Sequence, residues 1–155
     1  MVKKTILWIL VIATCIAIFT FSSMEGKYSD KHSEAVSEKV ESIVIGLTDK
    51  KPSANLFTKI HLFVRKQGHF TEFALLGLLV FLLTRCYDLS LKKSFIITLS
   101  FVLFYGCTDE IHQLFVRGRA GCVKDVFIDF FGGCVGTLLA TIPELIKIKK
   151  QSKNL

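Results

Sequence analysis

The sequence predicts an all-α integral membrane protein: a four-helix bundle, N-in and C-in, with an amphipathic extracytoplasmic helical segment between spans one and two. Two observations carry this prediction. Stretches 5–21, 70–83, 94–107 and 130–142 are each apolar over most of a membrane-spanning length. The second is charge placement. With the N-terminus inside, the cytoplasmic segments hold Lys3, Lys4, Arg85, Lys92, Lys93, Lys147, Lys149, Lys150 and Lys153 against only Asp88 and Glu144. That excess equals the whole formal net charge of +7, and the remaining eleven basic and eleven acidic residues cancel. A one-sided basic excess is the positive-inside pattern. A soluble bundle with uniformly apolar buried helices shows the same periodicity, but nothing in it requires this asymmetry.

With 155 residues, 51% of them apolar, the chain holds one membrane domain, 1–155, and leaves little room for a soluble one. The basic residues sit at span ends and form no continuous stripe, so a nucleic-acid partner is excluded.

The first span, about 5–23, follows Met1-Val-Lys-Lys as a secretory signal would. Its apolar run of seventeen residues exceeds the roughly 7 to 15 of a signal core, and an uncleaved span is expected. The outer segment, about 24–65, is the one long polar stretch. Within it Ala35, Val36, Val40, Ile43, Val44 and Leu47 recur at helical spacing behind the caps Ser29 and Ser33. Such a helix lies on the bilayer or packs as a lid over the span ends. Pro52 and Ser53 open a second helical pattern, with Phe57, Ile60, Phe63 and Val64, that runs into span two.

Span two, about 66–84, and span three, about 92–110, are joined by a connection short enough to make them antiparallel neighbours. Span four, about 123–142, carries Gly132, Gly136 and Ala140 at four-residue intervals, which permits close helix contact. Cys15 and Cys134 fall inside spans and Cys86 on the reducing side. Cys107 and Cys122 are therefore the pair able to meet outside, with free thiols as the default expectation.

The last three apolar runs are too short to cross about 30 Å of hydrocarbon, so polar residues must enter the outer leaflet. Counting from the cytoplasmic ends, Glu72 is twelve residues from Thr84, Asp129 thirteen from Ile142, and His69 and Asp109 fifteen from Thr84 and Ser94. These counts put all four roughly 18 to 23 Å above the inner boundary, with Arg65, Glu110, His112, Gln113 and Asp125 slightly higher. Helical spacing aligns Arg65, His69 and Glu72 on one face, Asp109 with His112, Glu110 with Gln113, and Asp125 with Asp129. Intramembrane charges cost several kcal/mol unless paired or wet, and they mark functional positions. The plainer alternative is a neutralised network of Arg65, Arg117 and Arg119 with the carboxylates that only holds the helices together, an unreliable source of stability.

Arg117 and Arg119 flank Gly118 in the turn before span four, and guanidinium forks suit phosphate or carboxylate. The residue types permit chemistry. His69 or His112 can act as general base, oriented by Glu72 or Asp109, with Asp129 in the same cluster. Arg65, Glu110, Gln113, Arg117, Arg119 and Asp125 are the candidate binding residues. A divalent metal held by Asp109, His112, Asp125 and Asp129 is a variant, although no compact zinc signature is present. A serine or cysteine nucleophile with a local signature is also absent.

The run Arg65-Lys66-Gln67-Gly68-His69-Phe70-Thr71-Glu72-Phe73 is followed by Thr108-Asp-Glu-Ile-His-Gln-Leu-Phe-Val-Arg-Gly-Arg119, and then by Asp125 and Asp129 before Gly132-Gly133. Together these resemble the VanZ-like family over nearly the whole chain, and Phe21-Ser22-Ser23 fits its N-terminal pattern. Gly68 departs from the small residue, commonly alanine, expected before the histidine, which loosens that helix locally. The resemblance implies a bacterial plasma-membrane protein whose name-giving relative confers resistance to teicoplanin, a lipid-tailed glycopeptide directed at cell-wall precursors. A fold hosts several activities, so membership alone does not assign that phenotype.

Three functions follow as expectations: action on a lipid-linked envelope substrate, non-catalytic binding of an envelope lipid, drug or partner, and secondary transport. Four spans without an internal repeat count against transport by a monomer. The expected partners are membrane lipids and a lipid-linked cell-wall precursor or lipoglycopeptide; oligomeric state is open.

Overall fold

The computed structural model describes residues 2–23, 38–39, 42–43, 45–46, 54–117, 119 and 121–153. Among them lie four long helices: α1 Val2–Ser23, α2 Ala54–Thr84, α3 Leu91–Gln113 and α4 Val123–Lys153. Each contains a stretch long and apolar enough to cross a membrane: Val2–Ser23, Phe63–Tyr87, Leu91–Gln113 and Val123–Ile146. The chain is a multi-pass membrane protein.

Several hydroxyls in the spans are satisfied within their own helix, as a medium without water favours. Thr14 donates to the Leu10 carbonyl (2.8 Å), Thr20 to Ile16 (2.7 Å), Thr98 to Ser94 (2.8 Å) and Thr137 to Gly133 (2.7 Å). Each of these hydroxyls bonds one turn back along its own helix. Large apolar side chains such as Phe104, Phe127, Phe131, Ile96 and Ile9 point outward and are exposed. That surface suits lipid, since aqueous proteins rarely expose such contiguous apolar area.

Phe73, Leu76, Phe81, Val102 and Ile18 form the buried core, to which α1, α2 and α3 contribute. The most extensive packing is between α2 and α4. It depends on glycines: a Cβ at Gly132 would run into the Phe70 carbonyl, one at Gly136 into Ala74, and one at Gly77 into Gly133. The small-residue spacing expected on span four is thus a backbone-to-backbone seam. Tyr105 ties α3 to α1 by donating to the Cys15 carbonyl at 2.6 Å. Tyr105→Phe is expected to cost about 1 kcal/mol, seen as a lower unfolding midpoint in detergent.

Between α2 and α3 the chain makes a 3-10 turn, Arg85–Tyr87, and Asp88 takes a left-handed conformation (φ 54°), which an aspartate tolerates. Ser90 caps α3 by accepting from the Lys93 N–H at 3.3 Å. Trp8 Nε1 donates to the Tyr87 hydroxyl (2.8 Å), Lys4 lies 3.4 Å from the Tyr87 ring centroid, and Arg85 reaches Glu144 at 3.5 Å. The first turns of α1 and the last turns of α4 therefore share one end of the bundle, with the basic anchors.

Several boundaries differ from the sequence reading. α2 begins at Ala54 and runs unbroken through the second span, as the pattern after Ser53 anticipates. α4 continues through Pro143 to Lys153, because a proline late in a helix forfeits one hydrogen bond without ending it. Ala35, Val36, Val40, Val44 and Leu47 of the expected amphipathic helix, with Ser29 and Ser33, lie outside the described residues, as do Pro52, Ser53 and Gly118. All five cysteines are free thiols, so Cys107 and Cys122 are not paired.

Candidate functional site

At the end of the bundle away from the basic anchors, α2, α3 and α4 turn polar side chains inward. Asp129 is fully buried, and Asp109, Glu110 and Gln113 are nearly so. His69 Nδ1 lies 3.8 Å from Asp129 Oδ1. One ligand atom from each of His69, Asp109 and Asp129 falls within 4.8 Å of the others, so three helices converge on one small volume. Of the four residues whose heights agree when counted along the sequence, His69, Asp109 and Asp129 meet, and Glu72 is not in that group.

Around this trio the partners are specific. Gln113 Nε2 donates to Asp109 Oδ2 at 2.9 Å and to Glu110 Oε1 at 3.3 Å. The other Glu110 oxygen accepts from the Cys122 N–H at 2.7 Å, which holds the chain entering α4 against the end of α3. Gly121 is needed there, because a Cβ would strike the Glu110 carbonyl and press on Leu114. Glu72, half-buried one turn from His69, lies within electrostatic reach of Asp109 and Arg119, and Arg65 within reach of His69 and Glu110.

Other predicted site residues go elsewhere. His112 stacks on Phe19 of α1, with ring centroids 4.4 Å apart and planes inclined by 28°. Asp125 pairs with Lys66 at 2.8 Å, partly exposed, one turn beyond the trio. The metal set proposed from sequence, Asp109, His112, Asp125 and Asp129, is therefore not assembled; His69 stands where His112 and Asp125 were expected. The physical reason is azimuth: three residues fall about 60° short of a full turn, and the packing of α3 against α1 uses that offset to set His112 on Phe19 while Asp109 faces α2 and α4. Arg119 Nη2 donates to the Phe21 carbonyl at 3.1 Å, meeting an acceptor in the last turn of α1, while Arg117 stays exposed.

Sequence reasoning did not single out Lys66, Phe19 or the carbonyl of Phe21. For Lys66 a signal existed: it precedes His69 by three residues much as Asp125 precedes Asp129 by four, so the two stand at one height.

A family model described as VanZ/LLP1 matches residues 7–146, nearly the whole chain. The chain belongs to the VanZ/LLP1 family. No curated protein and no solved structure matches it. The VanZ/LLP1 match takes in every residue of the polar end, from Phe19 and Phe21 through His69 and Asp109 to Asp129.

What this VanZ/LLP1 site can do follows from one unsatisfied group. Among the described residues, neither Asp129 oxygen accepts a hydrogen bond, and His69 Nδ1 is likewise buried without a hydrogen-bond partner. A buried carboxylate left bare costs several kcal/mol, so a donor or cation from outside the protein is the natural complement. Two lateral grooves lie between the same helices, lined by neither His69 nor Asp129. One of about 440 Å³ between α3 and α4 is lined by Leu103, Cys107, Glu110 and Phe127. Another of about 650 Å³ between α2 and α4 is lined by Phe63, Phe70 and Phe131, with Lys66 among its lining residues.

Proposed function

We propose that this VanZ/LLP1 protein is a bacterial plasma-membrane protein, N- and C-termini cytoplasmic, whose polar end opens toward the outer leaflet and acts on a lipid-linked envelope substrate. The single observation that carries the reading is Asp129: a fully buried carboxylate, unmatched by any donor among the described residues, 3.8 Å from an equally unmatched imidazole nitrogen. A network whose purpose was to hold helices together would pair these groups, because an unpaired buried charge destabilises.

His69 serves as general base or acid, with Asp129 and Asp109 orienting it. Arg117, exposed at the rim, meets an anionic head group, and the two grooves take acyl chains. The orientation is supported by the basic residues Lys4 and Arg85 at the opposite end, where the positive-inside rule puts the cytoplasm. The link to teicoplanin resistance comes from the family: a site that modifies or withholds a lipid-linked precursor would lower the action of a lipid-tailed glycopeptide.

The test is expression in a susceptible strain with teicoplanin and vancomycin compared in parallel. The wild type is expected to raise the inhibitory concentration of teicoplanin, and His69→Ala and Asp109→Ala to lose that increase at equal membrane abundance. Full protection by both variants overturns the catalytic reading. A second reading, non-catalytic binding of lipid, drug or partner, is favoured by the open grooves and exposed Arg117, neither of which requires turnover. It predicts the reverse: Arg117→Ala abolishes protection and His69→Ala leaves it intact.

A further inference from the structure

We propose that His69, Asp109 and Asp129 seat a divalent transition-metal cation, of the class of Zn²⁺ or Mn²⁺, between α2, α3 and α4. The assignment rests on the reading of the polar end as a functional site and names what that site holds; with the cation seated, His69 is a ligand in place of the acid–base role it has without one.

Geometry comes first. One nitrogen and two carboxylate oxygens, each from a different helix, lie within 4.8 Å of one another. Ligands about 2.0–2.2 Å from a tetrahedral zinc stand roughly 3.4 Å apart, so the 3.8 Å between His69 Nδ1 and Asp129 Oδ1 closes on an ion by a small side-chain rotation. A second, independent observation points the same way. Asp129 is fully buried, and neither of its oxygens nor His69 Nδ1 has a hydrogen-bond partner among the described residues. Groups that served only each other would stand at hydrogen-bond distance, and 3.8 Å is beyond it. The adjacent ammonium of Lys66 is engaged with Asp125.

Charge and donor type narrow the ligand. Two carboxylates and an imidazole balance a dication in a medium where an unbalanced pair is costly. Mixed nitrogen and oxygen ligands suit zinc, manganese or ferrous iron, whereas magnesium and calcium favour oxygen alone. Three protein ligands leave a coordination position free, and a phosphate oxygen of a lipid head group has the chemistry to take it.

The surrounding layer is already ordered. Gln113 donates to Asp109 Oδ2 at 2.9 Å, which leaves Oδ1 for the ion, and is itself held 3.3 Å from Glu110. Outer partners of this kind orient metal-binding carboxylates.

The experiment uses the full chain, purified in detergent, stripped with EDTA and titrated with ZnCl₂ and with MnCl₂. Bound metal is read by inductively coupled plasma mass spectrometry and folding by the thermal midpoint. The stripped wild type is expected to rebind about one equivalent of at least one cation with a raised midpoint, as binding to the native state alone requires. Asp129→Asn should bind at least about tenfold less, Gln113→Ala should weaken affinity about 10- to 100-fold, and Glu144→Gln, at the opposite end of the bundle beside Arg85, should match the wild type.

The proposal is overturned if the stripped wild type binds no more metal than Asp129→Asn, or if Glu144→Gln loses as much as Asp129→Asn does. Should Asp129→Asn fail to fold, Gln113→Ala decides: unchanged affinity there overturns the seat as drawn. Failure of the two readings is distinguishable. No bound metal together with lost protection in His69→Ala removes the cation and keeps the functional site; bound metal with full protection in that variant keeps the cation and removes the function.

Discussion

Gly136→Ala is expected to destabilise the bundle, although the same exchange in an exposed helix stabilises by about 1 kcal/mol. The added Cβ lands on the Ala74 carbonyl, and a backbone atom cannot rotate aside as a side chain would. Overpacking of this kind costs about 1–3 kcal/mol, and a rigid partner puts the cost at the upper end. The seam has little room elsewhere, because Gly132 faces the Phe70 carbonyl and Gly77 faces Gly133. The net expected loss is about 2 kcal/mol, and Gly136→Leu should prevent stable assembly. Gly68→Ala is the contrast. Nothing stands within 4 Å of a Cβ there, so that change should stabilise α2 by up to about 1 kcal/mol. Denaturant titration in mixed micelles measures both. Equal effects of the two substitutions would show that α2 and α4 do not meet at backbone distance.

Asp129→Asn should separate stability from function in opposite directions. In EDTA-stripped protein the variant is expected to be more stable than the wild type by about 1–3 kcal/mol. An amide of the same shape replaces a buried carboxylate that accepts no hydrogen bond among the described residues. Function should fall about 10²-fold or more, the cost of an acid–base histidine that has lost the carboxylate orienting it. Such opposition is expected of a site whose strain is retained for use. The thermal midpoint of stripped protein and teicoplanin protection in cells are the two measurements. A less stable Asp129→Asn would mean that Asp129 is already satisfied in the folded chain, and the argument for a ligand there would fail.

Much of the architecture was legible before any coordinates. Four apolar stretches, a short connection with Arg85 and Asp88, and the pattern after Ser53 predicted the helices and their order, because hydrocarbon demands length and internal hydrogen bonding whatever the neighbours are. Heights were also legible. The helical rise is constant, so counting residues placed His69, Glu72, Asp109 and Asp129 at one level, and all of these but Glu72 converge.

Rotation about each helix axis was not legible. Spacing says which residues share a face, but the azimuth at which α3 meets α1 or α4 depends on how whole surfaces pack, and here on glycines that let α2 and α4 touch. That packing sent His112 to Phe19, Asp125 to Lys66 and Arg119 to the carbonyl of Phe21, none of which a one-dimensional pattern encodes. The sequence by itself determined which polar groups lie at which depth in an apolar bundle. Only the tertiary structure decided which of them are satisfied by a neighbour and which, like Asp129, are held bare, because a hydrogen bond requires direction as well as depth.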